Sequence, residues 1–428
     1  MHHIKINNQP MKKSSMDPLL TLAVQMARVA AFETSKQQAL ASLIVSEEDD
    51  DKKKRLRSLL QQRLQWNTWV EVHKNRPMFR RHLRMTHDSY MRLLDKIRPH
   101  LPNMNEKKGD SRGGFIIPEL RLYVAIRYLA GGSYSDICYF CCISKTAFYT
   151  CLWQVIHAIN KAIVVKFPST PEECALAAAD FEKVSHRGVF KNCVGALDGY
   201  LLEIKTPSKK HASNVRSYFS GHYQRNGVNI QAMCDAHCRF TFLGIGGPGV
   251  TKDRQAIKES GLAALVENIP AGYIVIGDCA YQPTEKVISI FGGDLALNKD
   301  NDAFNYYASQ LRIRIEMAFG LMTKKWGILQ RKISNSLPSV KHIICCIARL
   351  HNFVIDERLR TGSASANLRN PTSERLSPMQ RAFMTASAFK EHREIISNEY
   401  PQWSLTRQDM VKLVKDNNLV RPVKNRLV

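Results

Sequence analysis

The stretch 194–207, VGALDGYLLEIKTP, has the apolar density of a buried β-strand and carries a carboxylate, Asp198, in its middle. A charge in such a run is costly unless it is paired or bound to a metal ion. Two readings are open here. Asp-Gly between apolar runs is a strong signal for a tight hairpin turn, with Asp198-Gly199 at the tip. Otherwise the strand runs straight through, and the carboxylate is held inside the sheet for a purpose. The flanking sequence must choose between them.

Downstream, VNIQAMCDA and RFTFLGIG read as two strands joined by a tight turn near His237, with Asp235 as a turn residue. GVTKDRQAIKESGLAALVENI is largely helical, YIVIGD is a short apolar strand ending on Asp278, and DLALN reads as another short strand. A long helix is expected over about 304–326. Strands first, then strand–helix alternation, predict an α/β fold: a mixed sheet flanked by helices.

Upstream, Pro118 suits a first helical turn, and Leu122, Ile126 and Leu129 share one face before Gly131-Gly132. A short helix over 135–141 follows. Ser144 can cap the next helix, with Phe148, Leu152, Val155 and Ile159 on one stripe. This is the grammar of a helix-turn-helix, although the last helix has few bases with which to grip DNA. It can equally be a packing domain. The chain therefore divides into a basic helical region (1–110), a helix-turn-helix-like all-α domain (111–165), a linker (166–190), the mixed-sheet domain (191–355), and a linker with a basic helical tail (356–428).

The 428 residues carry a net charge of +24, which favours polyanionic partners. The excess is uneven: residues 51–112 hold 17 Lys and Arg against 6 Asp and Glu. Within them Lys52, Lys53, Lys54 and Arg55 open the run KKKRLR, which reads either as a nuclear-import signal or as the solvated face of a basic helix. No run approaches the roughly 18 apolar residues of a membrane span, so a soluble, intracellular protein is expected. The 11 cysteines fall mostly in apolar runs, and no pair has a partner pair at zinc-finger spacing.

Two further acids occupy marked positions. Asp278 sits just past a buried strand, where open α/β sheets place ligand groups. Glu316 lies mid-helix in RIRIEMAFG, with Ile313 and Met317 beside it. Each has an ordinary reading, Asp278 as a turn residue and Glu316 as an i, i+4 partner of Arg312. Together, acids on a strand, a strand end and a late helix can converge on one edge of a sheet. Two-metal phosphodiester chemistry requires such hard oxygen ligands, holding ions roughly 3.5–4 Å apart.

GALDGY, VNIQAMCDAHCRF, GGPGVTKD, GDCAY, RIRIEMAFGLMTKKWGIL and RLHNF stand in the order seen in PIF/Harbinger-type transposases. The sequence over about 115–355 thus resembles a family of DDE endonucleases with a ribonuclease-H-like core. The resemblance implies that Asp198, Asp278 and Glu316 are the catalytic, metal-binding triad, spaced by 80 and 38 residues. It implies two divalent ions, Mg²⁺ or Mn²⁺, and a reaction that cuts DNA and joins the freed 3′-end to target DNA. A Myb-like DNA-binding partner, possible homo-oligomers and a nuclear location also follow from it. Asp253 matches a recurrent family aspartate and is expected to start a helix or support the site. Arg312 and Arg314 are expected to steer phosphate or pair with the triad; His211, His222 and His351 are further candidates to assist. The chain departs from the family at Tyr200-Leu201, where Thr-His is usual. That departure keeps an alternative open, a domesticated DNA-binding derivative without nuclease activity.

Overall fold

The computed structural model describes residues 63–102, 115–361 and 405–422. The KKKRLR run with Lys52, Lys53, Lys54 and Arg55 lies outside the described residues. The described residues of Leu64–Glu106 and Ile116–Val428 form one compact unit.

Helices α1 (Trp66–His73), α2 (Pro77–Leu83) and α3 (His87–Ile97) lead into α4 (Pro118–Leu129), α5 (Tyr134–Cys141) and α6 (Lys145–Ala162). The last three fall where the periodicity places them. Pro118 opens α4, and the Ser144 hydroxyl accepts a hydrogen bond from Ala147 N at 3.1 Å to cap α6. The earlier helices share the same core. Trp66 of α1 stacks on Tyr90 of α3 at 5.4 Å and meets Tyr123 of α4 edge-on at 5.9 Å. Tyr90 donates to the Glu119 carbonyl at 2.6 Å.

The segment 166–190 holds a helix, α7 (Pro171–Val184), started by a capping box between Thr170 and Glu173. The sheet follows: β1 (Cys193–Glu203), β2 (Phe219–Ser220), β3 (Arg225–Cys234), β4 (Phe240–Pro248), β5 (Ile274–Gly277) and β6 (Val287–Ser289). β1 runs antiparallel to β3, and β3 antiparallel to β4; β5 and β6 extend the other edge in parallel. The spatial order β4-β3-β1-β5-β6, with β2 beside the start of β3, is the ribonuclease-H-like mixed sheet that the sequence led us to expect. β1 is central.

Both faces of the sheet are covered, which is why its strands are almost wholly apolar. Val194, Leu197, Met233 and Val275 pack with Cys174 of α7, Ile257 of α8 (Asp253–Glu259), and Leu262 and Val266 of α9 (Leu262–Glu267). Ala196, Ile230, Ala232 and Ile276 face the larger core with α10 (Lys299–Lys325) and α11 (Leu337–Arg360). Two expectations are corrected here. DLALN is a 3₁₀ turn, Gly293–Leu297, because Leu295 and Leu297 stay exposed; the strand is the fully buried VIS of β6. The long helix starts five residues earlier than expected, since Asn298 accepts from the amides of Asp300 and Asn301 as its N-cap.

The RLHNF motif is a clamp. Asn352 accepts from Phe240 N at 2.8 Å and donates to Phe240 O at 2.7 Å, pairing with the start of β4 as another strand would. His351 donates Nε2–H to Cys238 O at 2.8 Å, and Arg349 donates to Ile163 O at 2.8 Å, tying α11 to the end of α6. The tail helix α12 (Leu405–Asp416) docks on α10 through Lys415–Asp300 and, just beyond it, Arg421–Asp302.

Two outcomes follow from the clamp. Asn352→Leu leaves both backbone groups of Phe240 buried and unpaired, and should cost about 2–4 kcal/mol in denaturant unfolding. Burial lowers His351 from 6.5 to about 4, and the charges of Lys325 and Arg358 push the same way against the Cys238 hydrogen bond. The unfolded chain therefore takes up a proton that the fold refuses, and stability falls as pH drops from 6.5 through 4. His351→Gln should lack that slope, which amounts to at most about 3 kcal/mol; chemical denaturation across this window checks it.

Candidate active site

Asp198 is not at a turn. It sits inside β1, paired opposite Ala232 of β3. The hairpin reading fails because β1 continues unbroken from Cys193 to Glu203. In the parallel pair Ala196 lies beside Ile276, and two residues further along the same register bring Asp198 level with Asp278, just past the end of β5. Asp278 is 5% exposed and accepts from Ala280 N at 3.0 Å, which turns the chain away from the sheet.

Alternation along β1 puts Asp198 on the face with Ala196 and Leu202, the face that α10 crosses. α10 brings Glu316 and Arg312, one turn apart. The Arg312 guanidinium pairs with Glu316 at 2.5 Å and reaches Asp198 at 3.9 Å. These side chains are 12% exposed for Arg312, 16% for Glu316 and 20% for Asp198, so water screens their charges weakly. Burial drives Asp198 well above the usual carboxylate range; Asp278 pushes it further, Arg312 pulls it back, and Glu316 and Asp253 add to the rise. Asp278 and Glu316 are thus near enough for their charges to act on Asp198.

The donor set suits a hard divalent cation: three carboxylates, a local excess of negative charge, and no sulfur or nitrogen ligand among them. Among the described residues, as the side chains lie, no three His, Cys, Asp or Glu groups are close enough to share one ion. Arg312 stands between two of the acids and supplies the positive charge.

Gly199 points to the opposite face, and beneath it lies a polar network. A Cβ on Gly199 would stand 2.3 Å from Asp253 Oδ1 and 3.0 Å from Gln231 Nε2. Asp253 Oδ1 accepts from Asn229 at 3.0 Å and from Gln231 at 2.8 Å, and Tyr281 donates to Gln231 Oε1 at 2.8 Å. Asp253 is the first residue of α8, after Lys252 at an N-cap position that makes no side-chain capping bond, and its carboxylate lies behind Gly199 of β1. Asn229, Gln231 and Tyr281 were not singled out from the sequence. The signal was present, since Asn and Gln at alternate positions of an apolar strand must face a common polar partner.

The remaining candidates separate clearly. Arg314 is fully buried beside Cys234 and Cys238, on a different side of α10 from Glu316, and does not join the acids. His351 belongs to the clamp. His222 packs on Tyr223, and His211 lies in an exposed turn. Asp235 is a turn residue, accepting from the amides of His237 and Arg239. Tyr200, where the sequence departs from the family pattern, stacks on Phe319 of α10 at 5.2 Å and serves packing.

Residues 197–352 match the sequence family described as DDE superfamily endonuclease. The segment begins one residue before Asp198 and ends at Asn352, so it contains all three acids and most of the clamp. A Protein ALP1-like from Arabidopsis thaliana is 24% identical over 269 residues, which is 58% of this chain and 63% of that relative's length. No solved structure matches the chain.

Gly199→Ala should displace the Asp253 carboxylate and destabilise the fold by about 1–3 kcal/mol. Asp253→Ala in the same chain removes the group that the new methyl strikes. The double variant should therefore lose less than the two single losses added together. Strict additivity in denaturant midpoints would show that the two residues do not meet.

Proposed function

Through residues 197–352 the chain belongs to the DDE superfamily endonucleases, in keeping with the PIF/Harbinger-type resemblance of its motifs, and from that premise we propose that it is a divalent-metal-dependent DNA endonuclease of transposase type. One observation carries the proposal. Asp198, Asp278 and Glu316 approach one another from a central strand, a strand end and a helix, and the charges of Asp278 and Glu316 both act on Asp198. Buried like charges are unfavourable unless a cation uses them.

In this reading Asp198, Asp278 and Glu316 hold Mg²⁺ or Mn²⁺, two ions in all. When bound, such ions supply an activated water or 3′-hydroxyl and stabilisation of the leaving oxygen. The chain's own contribution is positional. β1 and β5 fix two carboxylates level with each other, α10 delivers the third, and the Asp253–Gln231–Tyr281 network keeps the strands from shifting beneath them. Arg312 holds the acids together and lies where it can meet a phosphate oxygen. Cleavage at element ends and joining to target DNA, a Myb-like partner that supplies end recognition, homo-oligomers and nuclear action complete the proposal. The basic charge of +24 supports the choice of DNA as substrate.

A second reading has an observation of its own. Arg312 already neutralises Glu316 and approaches Asp198, as it would in a domesticated DNA-binding derivative that has lost the reaction.

Nicking of supercoiled plasmid in Mg²⁺ or Mn²⁺ separates the two. The nuclease reading expects metal-dependent nicking, abolished by EDTA and reduced at least 100-fold, about 2.7 kcal/mol of activation free energy, by Asp278→Asn. DNA binding without nicking, persisting when a partner-containing extract is added, would establish the second reading.

A further inference from the structure

Five cations gather where four helices end, away from the carboxylates. Arg80 lies in the last turn of α2, and Arg84 is its left-handed C-cap residue. Arg127 is in the last turn of α4, Lys325 is the final residue of α10, and Arg358 is in the last turn of α11. Backbone bonds hold two of them: Arg84 donates to Ala130 O at 3.0 Å, and Arg127 to His82 O at 3.5 Å. Among the described residues none of the five forms an ion pair with an acid.

Helix C-termini explain a cation at each end, since each carries about half a negative charge. They do not explain the excess. Burial and the charges of Arg358, Arg80 and Arg84 lower Lys325 from 10.5 to about 7, and Arg84 and Arg358 are lowered by burial and by their cationic neighbours. Packing brings these helix ends together: Gly327, two residues past Lys325, lies against Ala130 and Gly131, and Glu357, beside Arg358, accepts from Ser89 and Arg92 of α3. Lys325 is nine residues beyond Glu316 on the same helix, about 13 Å along its axis and on the opposite side. The cluster is thus a separate place from the carboxylates, yet rigidly joined to them by α10.

We infer that Arg80, Arg84, Lys325 and Arg358 form an oxyanion site that holds phosphate groups of the DNA backbone. The inference rests on DNA being the substrate, as proposed above, and places one stretch of duplex between the helical domain and the ends of α10 and α11. Arginine forks and a lysine ammonium suit phosphate oxygens, and a bound phosphate would supply the negative charge that the cluster lacks.

The test is binding of a fluorescent DNA duplex in EDTA, across a salt series, for the full chain and for the Lys325→Gln, Arg358→Gln double variant. The slope of log K against log salt should fall in magnitude by about one to two, one phosphate or two at roughly 0.9 each. Inorganic phosphate at matched ionic strength should raise the melting temperature of the wild type and not of the variant. In chloride the variant should melt at or above the wild type, because two repelling charges are gone; this also shows that it folds. An unchanged salt slope overturns the inference, and a phosphate-specific rise in melting temperature beside an unchanged slope assigns the site to free phosphate instead. Because the measurement is made without metal, its failure leaves the nuclease reading untouched. Duplex binding through the cluster with no nicking under Mg²⁺ would overturn the nuclease reading alone.

Discussion

Negative charge held inside a sheet is the constraint on which this molecule turns. Asp198 lies mid-strand, and no neighbour on its own strand can neutralise it. The strand order answers that cost in two ways. It places Asp278 level with it, which worsens the repulsion, and it lays α10 across the same face, so that Arg312 relieves part of it. A sheet that only had to be stable would carry valine at 198. The fold instead keeps the charges close and surrounds them with fixed structure, as sites that bind cations or do chemistry tend to.

Rigidity comes from below. Gly199 has no side chain because the Asp253 carboxylate occupies that space, and Asn229, Gln231 and Tyr281 extend the network across three strands' worth of backbone. The face of the sheet away from α10 is therefore polar just under Asp198 and apolar elsewhere. At the far edge Asn352 and His351 fasten β4 and its turn to α11, and Arg349 fastens α11 to the helical domain. The RLHNF motif works as a structural fastener, and its polarity has a packing cause. The helix ends that carry the cationic cluster are attached to this same frame, so charge outside the site is positioned by the elements that build it.

Much of the architecture was legible in the chain. The helices over 118–162 were read from a proline, two glycines, a capping serine and an apolar stripe, all of which act within a turn or two of themselves. The three acids were legible because each breaks an apolar pattern. Less visible were features whose cause is remote. DLALN reads as a strand until Leu295 and Leu297 prove to have nothing to pack against, while VIS is too short to signal anything alone. Trp66 and Tyr90 lie in a region that reads only as basic and helical, yet Trp66 stacks on Tyr90 and meets Tyr123 in the core.

The sequence by itself determined the elements, their order and the identity of the three carboxylates, because propensity, capping and interrupted periodicity are local properties. Only the tertiary structure decided that Asp198 runs through a strand, that Arg312 joins the acids while Arg314 is buried beside Cys234 and Cys238, that Asp253 lies behind the sheet, and that five cations meet with no acid paired to them among the described residues. Each of those outcomes depends on which face of one element meets which face of another, and that is set by register and packing across distances no local pattern encodes.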